Sequence, residues 1–130
     1  MLTIEQFDKT ELSQRRAGQR HIKMTPKEPI AGLEGLAITI FTTGWSQGDS
    51  QIWGWKWRTE QGMHDSSISD GMLGTPAEHH FNPQSAAAAA LKSADYWSDE
   101  VRIPREERER AQRQEKQAQL DRQVHRFLDS

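Results

Sequence analysis

The chain contains no cysteine, and this absence excludes disulfides, thiolate metal sites and catalysis by a cysteine nucleophile. Chains without cysteine fit a reducing compartment, so we predict a cytoplasmic location. No apolar run approaches the roughly 20 residues that a membrane-spanning helix requires. Residues 1–5 have neither the basic start nor the apolar stretch of a signal peptide. We therefore expect a small soluble protein without a membrane partner.

Large aliphatic residues and Phe are also scarce, because Leu, Ile, Val and Phe together account for only 22 of the 130 residues. Disordered chains share this scarcity but combine it with few aromatic residues and a high net charge. This chain instead has five Trp and a net charge of −2. We therefore predict a core domain in residues 34–98, preceded by an N-terminal helix and basic arm in residues 1–33 and followed by a charged helical tail in residues 99–130.

Most of the Trp residues lie in one short stretch, residues 51–58. Alternate residues of a strand share a face, so a strand here places Trp53, Trp55 and Trp57 on one side. The five consecutive Ala at residues 86–90 predict a helix with little side-chain bulk. Large indoles facing small Ala side chains let a helix lie close to a sheet without voids. This strand and this helix are therefore the predicted core.

One further strand is predicted on each side of the Trp strand. Residues 36–42 alternate in polarity and are rich in β-branched side chains, and residues 63–69 form a weaker, more polar segment. Turn-forming residues separate the segments at 44–50 and 59–62. Because short connections join antiparallel neighbours, we expect an α+β fold with a three-stranded antiparallel sheet packed on the Ala-rich helix.

The N-terminal segment is predicted to be partly helical. Thr3 and Gln6 have the spacing of a capping box, which predicts a weak helix over residues 4–17. Residues 19–33 contain two Pro and a Gly, and we expect a loop or an extended arm there.

Helix-start signals recur in the second half of the chain. Asn82 followed by Pro83 is typical of a cap and a first helical residue, so the Ala-rich helix is predicted to run from there to about Trp97. Residues 75–78 show the same pattern and predict a single helical turn that carries the neighbouring residues His79 and His80.

The charged tail is predicted to be a long exposed helix. Residues 101–103 read as a linker, and Pro104 suits the first turn of a helix that runs to about residue 128. Only the end of this helix has an apolar stripe, formed by Leu120, Val124, Phe127 and Leu128. We expect the stripe to bury against the same domain or against a symmetric copy of the chain, which makes a homodimer through this helix a second prediction.

The predicted order of helix, three strands and helix resembles that of double-stranded-RNA-binding domains. Those domains open their second helix with a lysine cluster that clamps phosphates. The corresponding positions here, residues 82–86, contain no base. The resemblance is therefore one of topology, and it does not make the chain a member of that family.

Catalytic and metal-binding motifs are missing. His64, Asp65 and Ser66 are the residue types of a hydrolase triad, but consecutive strand residues point to alternate faces and cannot form its relay. His79 and His80 are adjacent and lack the spacing of helical metal ligands. We predict that the chain is not an enzyme and that it uses no metal and no cofactor.

Charge is distributed unevenly along the chain. Residues 9–27 contain six bases and one acid, whereas residues 31–97 contain three bases and seven acids. The basic arm could neutralise phosphates, or it could fold onto its own acidic domain. The candidate partner-binding residues are four bases of the arm, two bases of the Trp strand and two apolar residues of the tail: Arg15, Arg16, Arg20, Lys23, Lys56, Arg58, Val124 and Phe127.

These features lead to a function hypothesis that involves no catalysis. The chain is expected to be a macromolecular binding module that occupies a surface of a larger protein or nucleoprotein assembly. Its size and style suggest an accessory or inhibitor protein of a mobile element, of the antirestriction or anti-CRISPR type. The alternative is a nucleic-acid-binding domain that uses the basic arm and the sheet face. An enzyme that uses His64, Asp65 and the histidine loop is the third hypothesis.

Overall fold

The computed structural model describes residues 1–12, 18–69 and 74–129. Five strands precede two helices, and a single 3-10 turn, Ile4–Gln6, precedes the first strand. The elements are β1 (Phe7–Leu12), β2 (His21–Pro26), β3 (Ala37–Gln47), β4 (Ser50–Arg58), β5 (His64–Ser66), α1 (Pro83–Asp95) and α2 (Asp99–Leu128). The predicted α+β class with an antiparallel sheet is confirmed.

The sheet has five strands in the order β1-β2-β3-β4-β5, and every neighbouring pair is antiparallel. The prediction of three strands was wrong, because β1 and β2 come from the segment that we expected to be a helix and an arm. The predicted strands at 36–42, 51–58 and 63–69 correspond to β3, β4 and β5. β3 extends beyond its prediction as far as Gln47, and a turn at Gly48 and Asp49 joins it to β4.

The predicted N-terminal helix over residues 4–17 is not formed in the residues described there. The Thr3 backbone N–H does donate to Gln6 Oε1 at 2.7 Å, as the capping-box spacing predicts. The helix nevertheless ends at Gln6, because Phe7 pairs with Pro26 across the sheet and buries its ring. Strand pairing and burial of an aromatic side chain outweigh a weak local helix signal.

The predicted arm at 19–33 contains β2, which pairs with β1 on one side and β3 on the other. The predicted order of helix, three strands and helix is therefore replaced by five strands followed by two helices, and the topological resemblance to double-stranded-RNA-binding domains is lost. The segment after β2, residues 27–36, begins in the predicted arm; it is irregular and buries Leu33 and Leu36 in the core.

The predicted pairing of Trp strand and Ala helix is confirmed. The side chains of Trp53, Trp55 and Trp57 are almost fully buried on the face that carries α1. On α1, Ala86, Ala90 and Ala94 recur at a spacing of four and have no exposed surface, which places one helical stripe against the sheet. The buried residues Ile38, Ile40, Met24 and Phe7 extend this core across β3, β2 and β1.

The start of α1 is also as predicted. Asn82 accepts a hydrogen bond from the Ser85 backbone N–H at 2.8 Å, and Pro83 is the first helical residue. The helix ends at Asp95, two residues before the predicted end at Trp97.

The single helical turn predicted at residues 75–78 is not formed. Pro76 makes an isolated bridge with Ile68, and the Ala77 N–H donates to the Ser67 carbonyl at 2.7 Å. Strand-like pairing with the segment after β5 therefore takes the place of the turn. The capping-box pattern failed here because the nearby strand edge offers backbone partners that a lone turn cannot match.

The second helix begins at Asp99, so the linker predicted at 101–103 is helical and Pro104 lies inside α2. Proline removes the hydrogen bond to the carbonyl four residues earlier, which belongs to the exposed residue Glu100 and can bind water. The start of α2 is fixed by the Asp99 N–H, which donates to the Ala31 carbonyl at 2.9 Å. Gly32 permits this approach, because a Cβ at that position would lie 2.3 Å from Asp99 Oδ1.

The remainder of α2 extends into solvent. Its long, charged character is as predicted, but Leu120 and Val124 are 52% and 48% exposed. The prediction that the apolar stripe buries against the same domain is therefore wrong, and burial against a second copy stays a prediction. Among the described residues, neither helix has a long enough apolar stretch to cross a membrane.

Candidate functional site

The sheet face opposite α1, here called the open face, carries three of the predicted partner-binding residues. Cross-strand register places Lys23 beside Thr39, and Thr39 beside Lys56. Arg58 is two residues further along β4, so it points to the same side as Lys56. All three basic side chains are exposed. The sheet therefore brings together cations that are up to 35 residues apart in the chain.

The charge of the open face differs in sign from the charge of the whole chain. The strand positions on this face contain one carboxylate, Asp8 on the edge strand β1. Around the three bases the polar side chains on this face include hydroxyl groups and imidazoles, those of Thr10, Thr25, Thr39, Ser66, His21 and His64. A chain with a net charge of −2 thus presents three bases and one acid on these strand positions.

An aromatic residue, Phe41, lies next to these cations. The Lys56 ammonium is 5.6 Å from the centroid of the Phe41 ring, and the His21 ring meets the Phe41 ring edge-on at 6.0 Å. Gly54 lies beneath the ring, because a Cβ there would be 3.0 Å from Phe41 Cζ. The open face therefore combines a half-buried aromatic ring with neighbouring cations, which is the chemistry that planar or anionic ligands contact.

The other predicted basic residues are not part of this face. Arg15 and Arg16 lie outside the described residues. The Arg20 side chain turns to the side that carries α1, where its guanidinium lies 5.4 Å from the Trp53 ring centroid. For Arg20, folding of the arm onto its own domain is the arrangement observed.

Arg20 is bound to Glu11 through two N–H donors, Nε at 2.7 Å and Nη2 at 3.3 Å from the carboxylate oxygens. The hydrogen bond from Arg20 lowers the pKa of Glu11 below its ordinary value, and the same contact raises the pKa of Arg20. The pair joins β1 to the residue just before β2, next to residues whose placement is not described.

The two apolar candidates, Val124 and Phe127, lie near the end of α2 and are 48% and 78% exposed. Within the described part of the chain, α2 packs extensively on no strand and on no other helix. Residues 124 and 127 thus form a surface separate from the open face.

A second polar cluster lies on the covered side, between the segment after β5 and the start of α1. Glu78 Oε1 accepts the Trp55 indole N–H at 3.2 Å and is 2.6 Å from His80 Nε2. The other ring nitrogen of His80 is 2.7 Å from Ser85 Oγ. Serine, histidine and carboxylate thus contact one another in the order of a hydrolase relay.

The partners of this cluster indicate a structural role. Its carboxylate also satisfies a buried indole, and the His80 carbonyl accepts the Trp53 N–H at 2.6 Å. The cluster therefore fixes the chain between β5 and α1 against the Trp strand. Sequence reasoning missed it, because Ser85 falls within the predicted Ala-rich helix and the histidines were considered as metal ligands or together with His64 and Asp65.

The triad considered from sequence, His64, Asp65 and Ser66, does not form a relay. Asp65 Oδ2 accepts a hydrogen bond from Ser93 Oγ at 2.6 Å, and Ser93 Oγ accepts the Trp57 indole N–H at 2.9 Å. Asp65 thus faces α1, while its two neighbours face the open side. In the described ranges no three His, Asp or Glu side chains are grouped as metal ligands would be.

Comparison of the chain with protein-family models, with curated proteins and with solved structures finds no match.

Proposed function

We propose that the chain is a non-enzymatic binding module that occupies a surface of a larger protein or nucleoprotein assembly through the open face of its sheet. The observation that carries this proposal is the grouping of Lys23, Lys56 and Arg58 on the face that α1 leaves uncovered. Cations on such a face steer and orient an anionic partner surface.

The energetics support a contact role for this face. Exposed charges add little to folding, so these three bases are not explained by stability. Apart from Ile52, which is buried on the open side, the apolar groups that stabilise the fold lie on the other side of the same strands. Between the bases, hydroxyl groups such as that of Thr39 can donate hydrogen bonds to carboxylates or phosphates.

Nucleic acid is the second candidate partner, and Phe41 is the observation that favours it. Its ring lies among Lys56, His21 and Gly54 on the open face. Proteins that bind single strands combine cations along the backbone with aromatic rings on which bases stack. A role as an accessory or inhibitor protein of a mobile element stays a proposal that rests on the size of the chain.

The test compares two charge-reversed variants of the full chain. In the first, Lys23, Lys56 and Arg58 are replaced by Glu; in the control, Arg110, Arg113 and Lys116 of the exposed helix α2 are replaced by Glu. Both variants change the net charge equally. The partner is captured on tagged wild-type chain from its native cells, with and without nuclease, and its contact is mapped by cross-linking at the lysines.

We expect the open-face variant to lose the partner and the control to retain it. If the partner is nucleic acid, capture is lost after nuclease treatment, and binding by the wild-type chain falls steeply as the salt concentration rises. Retention of the partner by the open-face variant would contradict the proposal for both partner classes.

A further inference from the structure

The helix α1 covers only part of the sheet, and the uncovered part forms a groove. α1 packs mainly on β4, with further contacts to β3 and β5. The strands β1 and β2 extend the same face beyond the helix. Their residues Phe7, Ile22 and Met24 line one side of a cavity of about 520 Å³, and α1 lines the other. This volume lies within the roughly 300–1,000 Å³ that small-ligand sites occupy.

The groove is apolar because of the side chains that the helix presents to it. Ala87 and Ala88 lie along its wall with Leu91, while Ile40 of β3 lies at its base. Small alanine side chains leave space that larger residues would fill. The run of alanines thus serves two purposes, since Ala86 and Ala90 allow close contact with the Trp strand while Ala88 faces the open space.

Two cations, Lys9 and Arg20, border this apolar space. Lys9 is opposite Met24 in the register, so its side chain points to the groove side of the edge strand. Arg20 already holds the Glu11 carboxylate through two N–H donors. That contact shows that a carboxylate fits against this guanidinium at the margin of the groove.

We propose that the groove binds a small free amphiphile with one carboxylate and an unbranched apolar chain. The apolar chain lies between Met24 and Ala88, and the carboxylate lies between the Lys9 ammonium and the Arg20 guanidinium. Glu11 competes for Arg20, so ligand binding exchanges an internal carboxylate for an external one. This site lies on the opposite side of the sheet from the open face and is independent of the function proposed above.

An added peptide strand is a less suitable occupant. Such a strand would pair with the outer edge of β1, which has no strand neighbour among the described residues, and there Lys9 and Glu11 point toward the covered side of the sheet. Inward-pointing charges on an edge strand oppose this kind of pairing. The same charges favour a compact ligand that brings one carboxylate of its own and needs no backbone contact.

The experiment titrates the full chain with decanoate below its micelle-forming concentration, using calorimetry and amide chemical shifts. Decan-1-ol and decyltrimethylammonium serve as neutral and cationic ligands of equal chain length. We expect decanoate to bind roughly tenfold more tightly than the alcohol, the size of one charge-assisted hydrogen bond, and the cation to bind most weakly. The shifts should map to Ile22, Met24 and Ala88.

Four variants locate the site. Lys9→Gln should weaken decanoate binding roughly tenfold, while Glu11→Gln should strengthen it by freeing Arg20. Ala88→Leu should fill the groove and abolish binding; circular dichroism checks that this variant, altered at an exposed position, remains folded. Lys56→Gln on the open face is the matched control and should bind like wild type.

The proposal is overturned if wild type binds none of the three ligands. It is also overturned if the alcohol binds as tightly as decanoate, or if folded Ala88→Leu retains full affinity. Equal losses in Lys9→Gln and Lys56→Gln would indicate a general charge effect and would equally rule out the groove as the binding site.

Discussion

The two faces of this sheet are built on the same strands but obey different physical requirements. In β4, Trp55 is 3% exposed while the next residue, Lys56, is exposed to solvent. The covered face is constrained by volume, because three indoles must match a helix stripe of alanines. Among the described residues of the open face, only Ile52 and the contact between Phe41 and Gly54 are constrained by packing, so the exposed cations and hydroxyl groups are available for a partner. Substitutions on the covered face should therefore mainly lower stability, whereas substitutions on the open face should mainly affect binding and change stability little.

The largest difference is expected between Trp55→Ala and Lys56→Ala, which change adjacent residues. Trp55→Ala should lower the free energy of unfolding by roughly 3–5 kcal/mol, the usual cost of deleting a buried aromatic side chain. It also removes the indole N–H that Glu78 accepts. Lys56→Ala should change the free energy of unfolding by about 0.5 kcal/mol or less. Urea denaturation measures both; equal midpoints would show that the indoles do not form the core.

A second, smaller difference is expected along α1. Ala90 has no exposed surface and lies in the stripe against the sheet, whereas Ala88 is exposed. Ala90→Leu should destabilise the fold by about 1–3 kcal/mol through overpacking. Ala88→Leu makes the same change two residues away, and it should leave the midpoint of thermal unfolding nearly unchanged. A similar loss in both variants would mean that the helix does not present one face to the sheet.

The smallest effect on stability is expected for the ion pair between Glu11 and Arg20. The lowered pKa of Glu11 means that the pair adds stability at neutral pH and loses it as the pH falls through the folded-state pKa. The effect on stability should be slight, because both groups are exposed and solvent screens them. In carbon-13 NMR titrations, the Glu11 carboxyl should titrate below an ordinary glutamate and should return to the ordinary range in Arg20→Gln. An unchanged titration in that variant would contradict the pairing.

The sequence predicted the part of the fold that depends on local pattern and size matching. Strands β3 and β4, the cap at Asn82 and the burial of the three indoles all follow from alternation, capping and volume. These signals lie within short windows of sequence. The match between large indoles and small Ala side chains made the contact between β4 and α1 predictable.

The sequence did not predict β1 and β2, because their stability comes from pairing between distant residues. The segment Phe7–Leu12 contains residues that favour helices, and a real capping contact precedes it. Only the backbone of β2 and the burial of Phe7 make it a strand. The groove was missed for the same reason, since one of its sides and its Lys9 belong to these strands.

The candidate site was predicted in part. Lys56 and Arg58 were expected on a sheet face, and the structure adds Lys23 to them across β3. Lys23 had been grouped with Arg20 by proximity in sequence. Successive residues of a strand point to opposite faces of the sheet. Counting charges along the chain therefore cannot show which bases share a face.

The projecting helix α2 affects how the protein moves through water. Its 30 residues span about 45 Å at the usual rise of 1.5 Å per residue, which exceeds the diameter of the compact sheet domain. A chain with such a rod has more hydrodynamic friction than a compact chain of the same mass. A monomer of 14.9 kDa should therefore elute early from a gel-filtration column, at the position of a larger globular protein. Light scattering, which reports mass rather than shape, is thus the measurement that distinguishes this drag from pairing of two chains through Leu120 and Val124.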